Sequence, residues 1–210
     1  MPIVFQNEVV PGVKVAVWHI TESIGEIFPM VHNMDRSDVK DIFLEQKKLE
    51  TIATRILLQK LVVDSGLNYH GTLKDVHGKP HLSSHDAVHV SISHSFPYAA
   101  AILDKHGPTG IDIESPREQI NRIKHKFLSH EELNNGLDID ELTKLWCAKE
   151  CLYKIYGRRS VIFSKDIRIK PHENGLLTGE IDINNNKKIY ELGVEKISEH
   201  WLIFKTVIKH

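Results

Sequence analysis

Two short stretches, Gly110-Ile-Asp-Ile-Glu114 and Trp146-Cys-Ala-Lys-Glu150-Cys-Leu-Tyr-Lys154, constrain this chain more than any other part of it. In the first, Ile111 and Ile113 alternate with Asp112 and Glu114, the two-residue period of a strand. The isoleucines then face a core while the two carboxylates project together from the other side. Like charges side by side repel, and a partner cation is the simplest reason to keep both. In the second stretch Trp146, Lys149/Glu150 and Tyr153/Lys154 recur at helical spacing. Glu150 and Lys154 share one helix face, a turn apart. Packed beside the strand, such a helix brings three carboxylates and an ammonium to one point. That is a hard-oxygen set suited to Mg²⁺ bound to a phosphate. Each piece also has a plainer reading: Glu150 and Lys154 match an ordinary surface helix pair, and Asp112 and Glu114 a solvated edge strand.

The rest of the chain narrows the alternatives. A length of 210 residues allows one large domain or two smaller ones, each able to bury a core. The formal net charge of −1 gives no electrostatic reason to expect nucleic acid or an anionic membrane as partner. No basic segment followed by an apolar run opens the chain, and no apolar run is long enough for a membrane span. The expectation is therefore a soluble protein with no signal peptide. Cys147 and Cys151 are the only cysteines and fall on one predicted helix. They read as reduced core thiols of a cytoplasmic protein, and no CxxC or nearby His pair supports zinc.

In chain order, residues 13–20 alternate as a half-buried strand, and a short helix from Thr21 to Phe28 is capped by Thr21 or Ser23. Val39, Ile42, Phe43, Leu49, Ile52, Ala53, Ile56 and Leu57 predict one long helix over Ser37–Ser65, stopped by Gly66. Lys47, Lys48 and Arg55 on it read as a solvated face. Gly78-Lys-Pro-His-Leu82 is a turn, followed by a strand over 87–95 and, after Phe96-Pro97-Tyr98, its antiparallel partner over 99–103. Ser91, Ser93 and Ser95 share one side of that strand, with His94 at its tip. His94, Ser93 and Lys79 together offer imidazole, hydroxyl and ammonium donors to a phosphate group. His106-Gly-Pro-Thr-Gly110 is the best linker, which predicts subdomains over residues 1–107 and 108–210. Arg117–Phe127 and Ser129–Leu133 read as helices, the second capped by Ser129. The helix of residues 146–156 is expected to be capped by Asp140 and ended by Gly157. Strands follow from Asp166, with turns at Asn174-Gly175 and Asn184–Asn186 and a closing strand over 201–208.

Taken together, Gly78-Lys-Pro-His-Leu82, Ser91-Ile-Ser-His94-Ser95, Gly110-Ile-Asp-Ile-Glu114, Lys126-Phe-Leu-Ser-His-Glu-Glu132 and Trp146-Cys-Ala-Lys-Glu150 with Lys154 resemble the 4′-phosphopantetheinyl transferase superfamily. The chain is most similar to the longer, monomeric, pseudo-twofold type that activates peptide and polyketide synthases. The resemblance implies an α+β fold of two similar subdomains about a pseudo-twofold axis, each a small antiparallel sheet packed with helices. It implies transfer of phosphopantetheine from coenzyme A to a serine of an acyl or peptidyl carrier protein, with release of adenosine 3′,5′-bisphosphate. Matched motif to motif, Asp112, Glu114 and Glu150 would hold Mg²⁺, and Lys154 would neutralise the leaving phosphate. Lys79, Ser93 and His94 would contact the nucleotide phosphates, with Arg55 a further carry-over on the long helix. Glu50 stands where a second arginine would have suited that role. Two other readings stay open on the sequence: another Mg²⁺-dependent phosphodiesterase or nuclease, and a non-catalytic carrier- or nucleotide-binding protein of the same fold.

Overall fold

Runs of valine and alanine make the centre of the first sheet. In the computed structural model, which describes residues 2–84, 87–157 and 160–209, β1 (Ile3–Val10) and β2 (Val13–His19) form an antiparallel pair. They are followed by α1 (Ile24–Ile27), α2 (Ser37–Lys40) and α3 (Glu45–Asp64), then by the short strands β3 (Thr72–Lys74) and β4 (Pro80–Leu82), which pair with each other. The hairpin β5 (His89–Ser95) and β6 (Tyr98–Asp104) completes a four-stranded sheet in the order β1-β2-β6-β5. Ala16, Ala99 and Ala101 of this sheet share a core with Ile52, Ala53, Ile56 and Leu57 of α3. Small side chains on the sheet let the helix lie close, and each large aliphatic buried there contributes about 1.5–3 kcal/mol. These elements belong to a compact unit spanning Met1–Ile111.

The second unit, Asp112–His210, contains most of β7 (Ile111–Glu114), then α4 (Gln119–Phe127), α5 (His130–Leu133), α6 (Ile139–Tyr156) and α7 (Phe163–Asp166). The strands β8 (Ile167–Pro171), β9 (Leu177–Ile183), β10 (Asn186–Ile197) and β11 (His200–Lys209) give, with β7, a sheet ordered β7-β11-β10-β9-β8. Cys147, Ala148, Cys151, Leu152 and Ile155 form the apolar face of α6 and pack on Ile167, Leu177, Ile181, Leu192 and Ile203. Gly179 makes this approach possible, since a Cβ there would stand 2.7 Å from Leu152 Cδ1. The α+β class, with small antiparallel sheets covered by helices, is as the sequence suggests. Among the described residues no helix is long and apolar enough to cross a membrane.

Three local expectations change. The single helix over 37–65 is two, because Phe43 is 98% exposed and Leu44 adopts an extended backbone ahead of α3. The helix carrying Trp146–Lys154 begins earlier, at Ile139, and its cap is Asp138 rather than Asp140: Asp138 accepts from Glu141 N, and Glu141 returns a bond to Asp138 N. That reciprocal box satisfies two amides at the helix start. The strand β1 has no counterpart in the sequence reading, its half-exposed pattern being weak.

The buried polar centre of the first unit is Asp35, which accepts from Tyr69 Oη (2.6 Å), Thr72 N (3.0 Å) and Thr72 Oγ1 (2.9 Å) and stands 4.0 Å from Arg55 Nε. Asp35→Ala removes the buried carboxylate that accepts from Tyr69 and Thr72 and lies beside the Arg55 guanidinium. We expect a loss of about 3 kcal/mol, read from urea unfolding midpoints.

Candidate active site

Alternation along β7 sends Ile111 and Ile113 to full burial and turns Asp112 and Glu114 the other way. Asp112 is only 3% exposed, so its carboxylate requires a partner. Lys154, near the end of α6, supplies it with Nζ 2.7 Å from Asp112 Oδ1. Glu150 lies one turn earlier on the same face of α6. Burial and the charge of Asp112 push the Glu150 carboxyl up to about 7, with Lys154 pulling the other way. Glu114 is raised to about 7 by burial and by Asp112 and Glu150, against Lys154 and Arg117. Burial works against the Lys154 ammonium, but Asp112 and Glu150 outweigh it and hold its pKa above the ordinary lysine range. Strand and helix thus place three carboxyl groups within reach of one another's charge.

The donor chemistry of Asp112, Glu114 and Glu150 fits a hard divalent ion, and burial and the charge of Asp112 raise the carboxyls of Glu114 and Glu150. As the side chains stand, no three Asp, Glu, His or Cys residues among the described residues are gathered tightly enough to hold an ion. Lys154 takes the Asp112 oxygen instead. An incoming cation would favour the ionised forms of these acids.

The neighbouring lysine does a different job. Lys149 is 0% exposed, and its ammonium donates to Glu132 Oε2 (2.7 Å) and to the carbonyls of Phe127 (2.8 Å), Ile167 (3.2 Å) and Phe163 (3.4 Å). Burial lowers its pKa, which the bond to Glu132 opposes. Glu132 meanwhile closes the capping box of α5 through Ser129 N. Lys149 therefore ties α6 to the end of α4, to α5 and to the start of β8. The sequence marked Lys149 and Glu132 inside separate motifs without showing that they pair. Cys147 and Cys151 are both buried, and burial raises their thiol pKa values.

The remaining candidates belong to the first unit. Lys79 lies in the β3–β4 turn, its amide bonded to Asp75 Oδ1 at 2.9 Å. Ser93 is buried, whereas His94, the next residue of β5, projects to the opposite strand face and is half-buried. His94 Nδ1 is 3.1 Å from Glu50 Oε2, and His94 Nε2 is 3.1 Å from Lys47 Nζ. Lys47, read from sequence as part of a solvated face, is thus in contact with a candidate residue. Arg55 is 2% exposed, with Nε 4.0 Å from Asp35 Oδ1. Along α4 and just before it, Arg117, Arg122 and Lys126 are exposed and Lys124 is half-buried, while Arg158 and Arg159 lie outside the described residues.

Two outcomes follow for the second unit. Lys149→Met should cost about 3 kcal/mol by leaving the Glu132 carboxylate without its cation, measured by chemical denaturation. Because Glu114 and Glu150 titrate higher when folded than when unfolded, the folded chain binds more protons between about 4.5 and about 7. The stability these groups contribute is complete below the lower limit and is lost as pH rises through the upper. Without divalent ions the Tm should fall as pH rises across that window, and added Mg²⁺ should restore it.

Residues 108–204 match the family model described as the 4′-phosphopantetheinyl transferase superfamily. No curated protein matches the chain.

Proposed function

Residues 108–204 belong to the 4′-phosphopantetheinyl transferase superfamily, and from that footing we propose that the chain moves 4′-phosphopantetheine from coenzyme A to a serine of an acyl or peptidyl carrier protein. Adenosine 3′,5′-bisphosphate is the other product. The family supports phosphopantetheine transfer in general. The observation that carries the finer reading is the convergence of Asp112, Glu114, Glu150 and Lys154 inside the matched segment.

Cleaving a pyrophosphate linkage develops negative charge on the leaving phosphate, so catalysis rests on positioning and charge stabilisation. Asp112, Glu114 and Glu150 would hold Mg²⁺, which when bound supplies Lewis-acid neutralisation of the pyrophosphate oxygens. The Lys154 ammonium, kept charged by the surrounding acids, offsets the charge growing on the leaving group. The carrier serine is a weak nucleophile until its proton is removed. Glu150 is our candidate to accept that proton. In the first unit, Lys79, Ser93 and His94 are assigned to the nucleotide phosphates. Arg55 is assigned to holding α3 through Asp35. The chain acts as a monomer in the cytoplasm on this reading.

The test is incubation with coenzyme A, Mg²⁺ and an apo carrier protein, followed by weighing the carrier by mass spectrometry. Addition of one phosphopantetheine is the expected result, and an unmodified carrier across fatty-acid and secondary-metabolic types would refute the reading. Asp112→Ala and Glu150→Ala should each lower turnover roughly a hundredfold or more while leaving a folded protein. A folded Asp112→Ala enzyme with near-normal turnover removes the metal from this scheme. Carrier docking should also be electrostatic: carriers of this class are acidic, and Arg117, Arg122, Lys124 and Lys126 form a basic stretch. The KM for carrier is then expected to rise with salt, and a flat salt profile would discount that stretch.

A further inference from the structure

Lys79 sits in the turn between β3 and β4, and a single acid fixes the backbone around it. Asp75 Oδ1 accepts from His77 N (2.8 Å) and from Lys79 N (2.9 Å), and the Asp75 amide donates to the Lys79 carbonyl at 3.0 Å. Gly78 N closes a tighter loop on the Asp75 carbonyl at 2.9 Å, with Gly78 at φ 87°. A Cβ at Gly78 would meet nothing within 4 Å, so glycine is needed there for its left-handed backbone rather than for space. The other Asp75 oxygen, Oδ2, lies 3.4 Å from His81 Nε2. Pro80 follows Lys79 with its φ locked by the ring. The ladder carrying this turn runs only from Thr72↔Leu82 to Lys74↔Pro80, a length at which pairing alone is marginal. Its far end is tied down by Asp35, which accepts from Thr72 N and Oγ1.

Resting on the transferase reading, we propose that Asp75 is a positioning residue for Lys79: its carboxylate sets the turn from which the lysine is presented to the coenzyme A donor. A lysine stem is long and flexible, and ordering it costs rotamer entropy. That cost is smallest when the Cα already stands where the ammonium can reach its anion. Asp75 holds the Lys79 main chain at both its amide and its carbonyl. The acid therefore acts through the backbone and needs no contact with the ligand. A negative charge this close to a lysine that receives a phosphate works against the ligand by repulsion. Its use here lies in the hydrogen bonds to two amides, for which a neutral acceptor of the same shape would serve equally well.

The experiment compares wild type with Asp75→Ala, Asp75→Asn, Gly78→Ala and Lys79→Met, and combines Lys79→Met with Asp75→Ala and with Gly78→Ala. It reads calorimetric affinity for coenzyme A without carrier, the KM and kcat for coenzyme A, and thermal melting. Lys79→Met should weaken binding and raise the KM about tenfold. Asp75→Ala should produce about half of that loss on a logarithmic scale, roughly threefold, with kcat falling less than KM rises. Asp75→Asn keeps an acceptor for both amides and removes a repelling charge, so it should bind at least as tightly as wild type. Gly78→Ala disturbs the same turn through the backbone alone and should also weaken binding, which keeps the test decisive should Asp75→Ala fail to fold. In the Lys79→Met background neither change should weaken binding further, a non-additivity that a general loss of structure does not give. Wild-type affinity in folded Asp75→Ala and Gly78→Ala overturns the proposal. So does Asp75→Asn as poor as Asp75→Ala, a Lys79→Met that binds normally, or losses that add to that of Lys79→Met. Affinity requires no turnover. The expected pattern in a protein that modifies no carrier would uphold the role of Asp75 and sink the transferase reading, whereas an active enzyme without the pattern sinks the role of Asp75 alone.

Discussion

A lysine ammonium resting on a buried aspartate, Lys154 on Asp112 at 2.7 Å, is the contact that the second unit's polar interior depends on. Asp112 is itself almost fully buried, where a carboxylate without a partner is costly. With the pair formed, burial and the charge of Asp112 push Glu114 and Glu150 up to about 7, against Lys154 for both and Arg117 for Glu114. A divalent ion bound there, as proposed, would offset the cost of burying these acids. Such a trade is common where binding rather than packing sets the residue choice.

Two lysines on the same helix illustrate how differently one residue type is used. Lys149 has four acceptors, three of them backbone carbonyls, and faces a junction of α4, α5 and β8. Lys154, five positions on and so on another face, meets a carboxylate from β7. The first fixes geometry and the second balances charge.

What could be read from the sequence was mainly what is local. The alternation in Ile111–Glu114 is a two-residue pattern that needs no tertiary information, and the observed burial of both isoleucines follows it. The helical spacing from Trp146 to Lys154 was equally plain, and so was its end at Gly157, which adopts φ 71°. The helix start was not, because Asp138 and Asp140 are both good caps and only the return bond from Glu141 separates them. The break before α3 was hidden by apolar residues that suit a helix face but are exposed. The Lys47–His94 contact spans 47 positions, so no periodicity reveals it. By contrast, strand alternation alone separates Ser93 from His94, although the sequence reading grouped them for their chemistry.

The four-acceptor anchorage of Lys149 bears on the residue that follows it. Successive residues of an α-helix are turned by roughly 100° about its axis. Once Lys149 is pinned inward, the azimuth of Glu150 is settled by the backbone, as is that of Lys154 a turn later. The acid proposed to take the serine proton thus inherits its aim from a neighbour that takes no part in the chemistry.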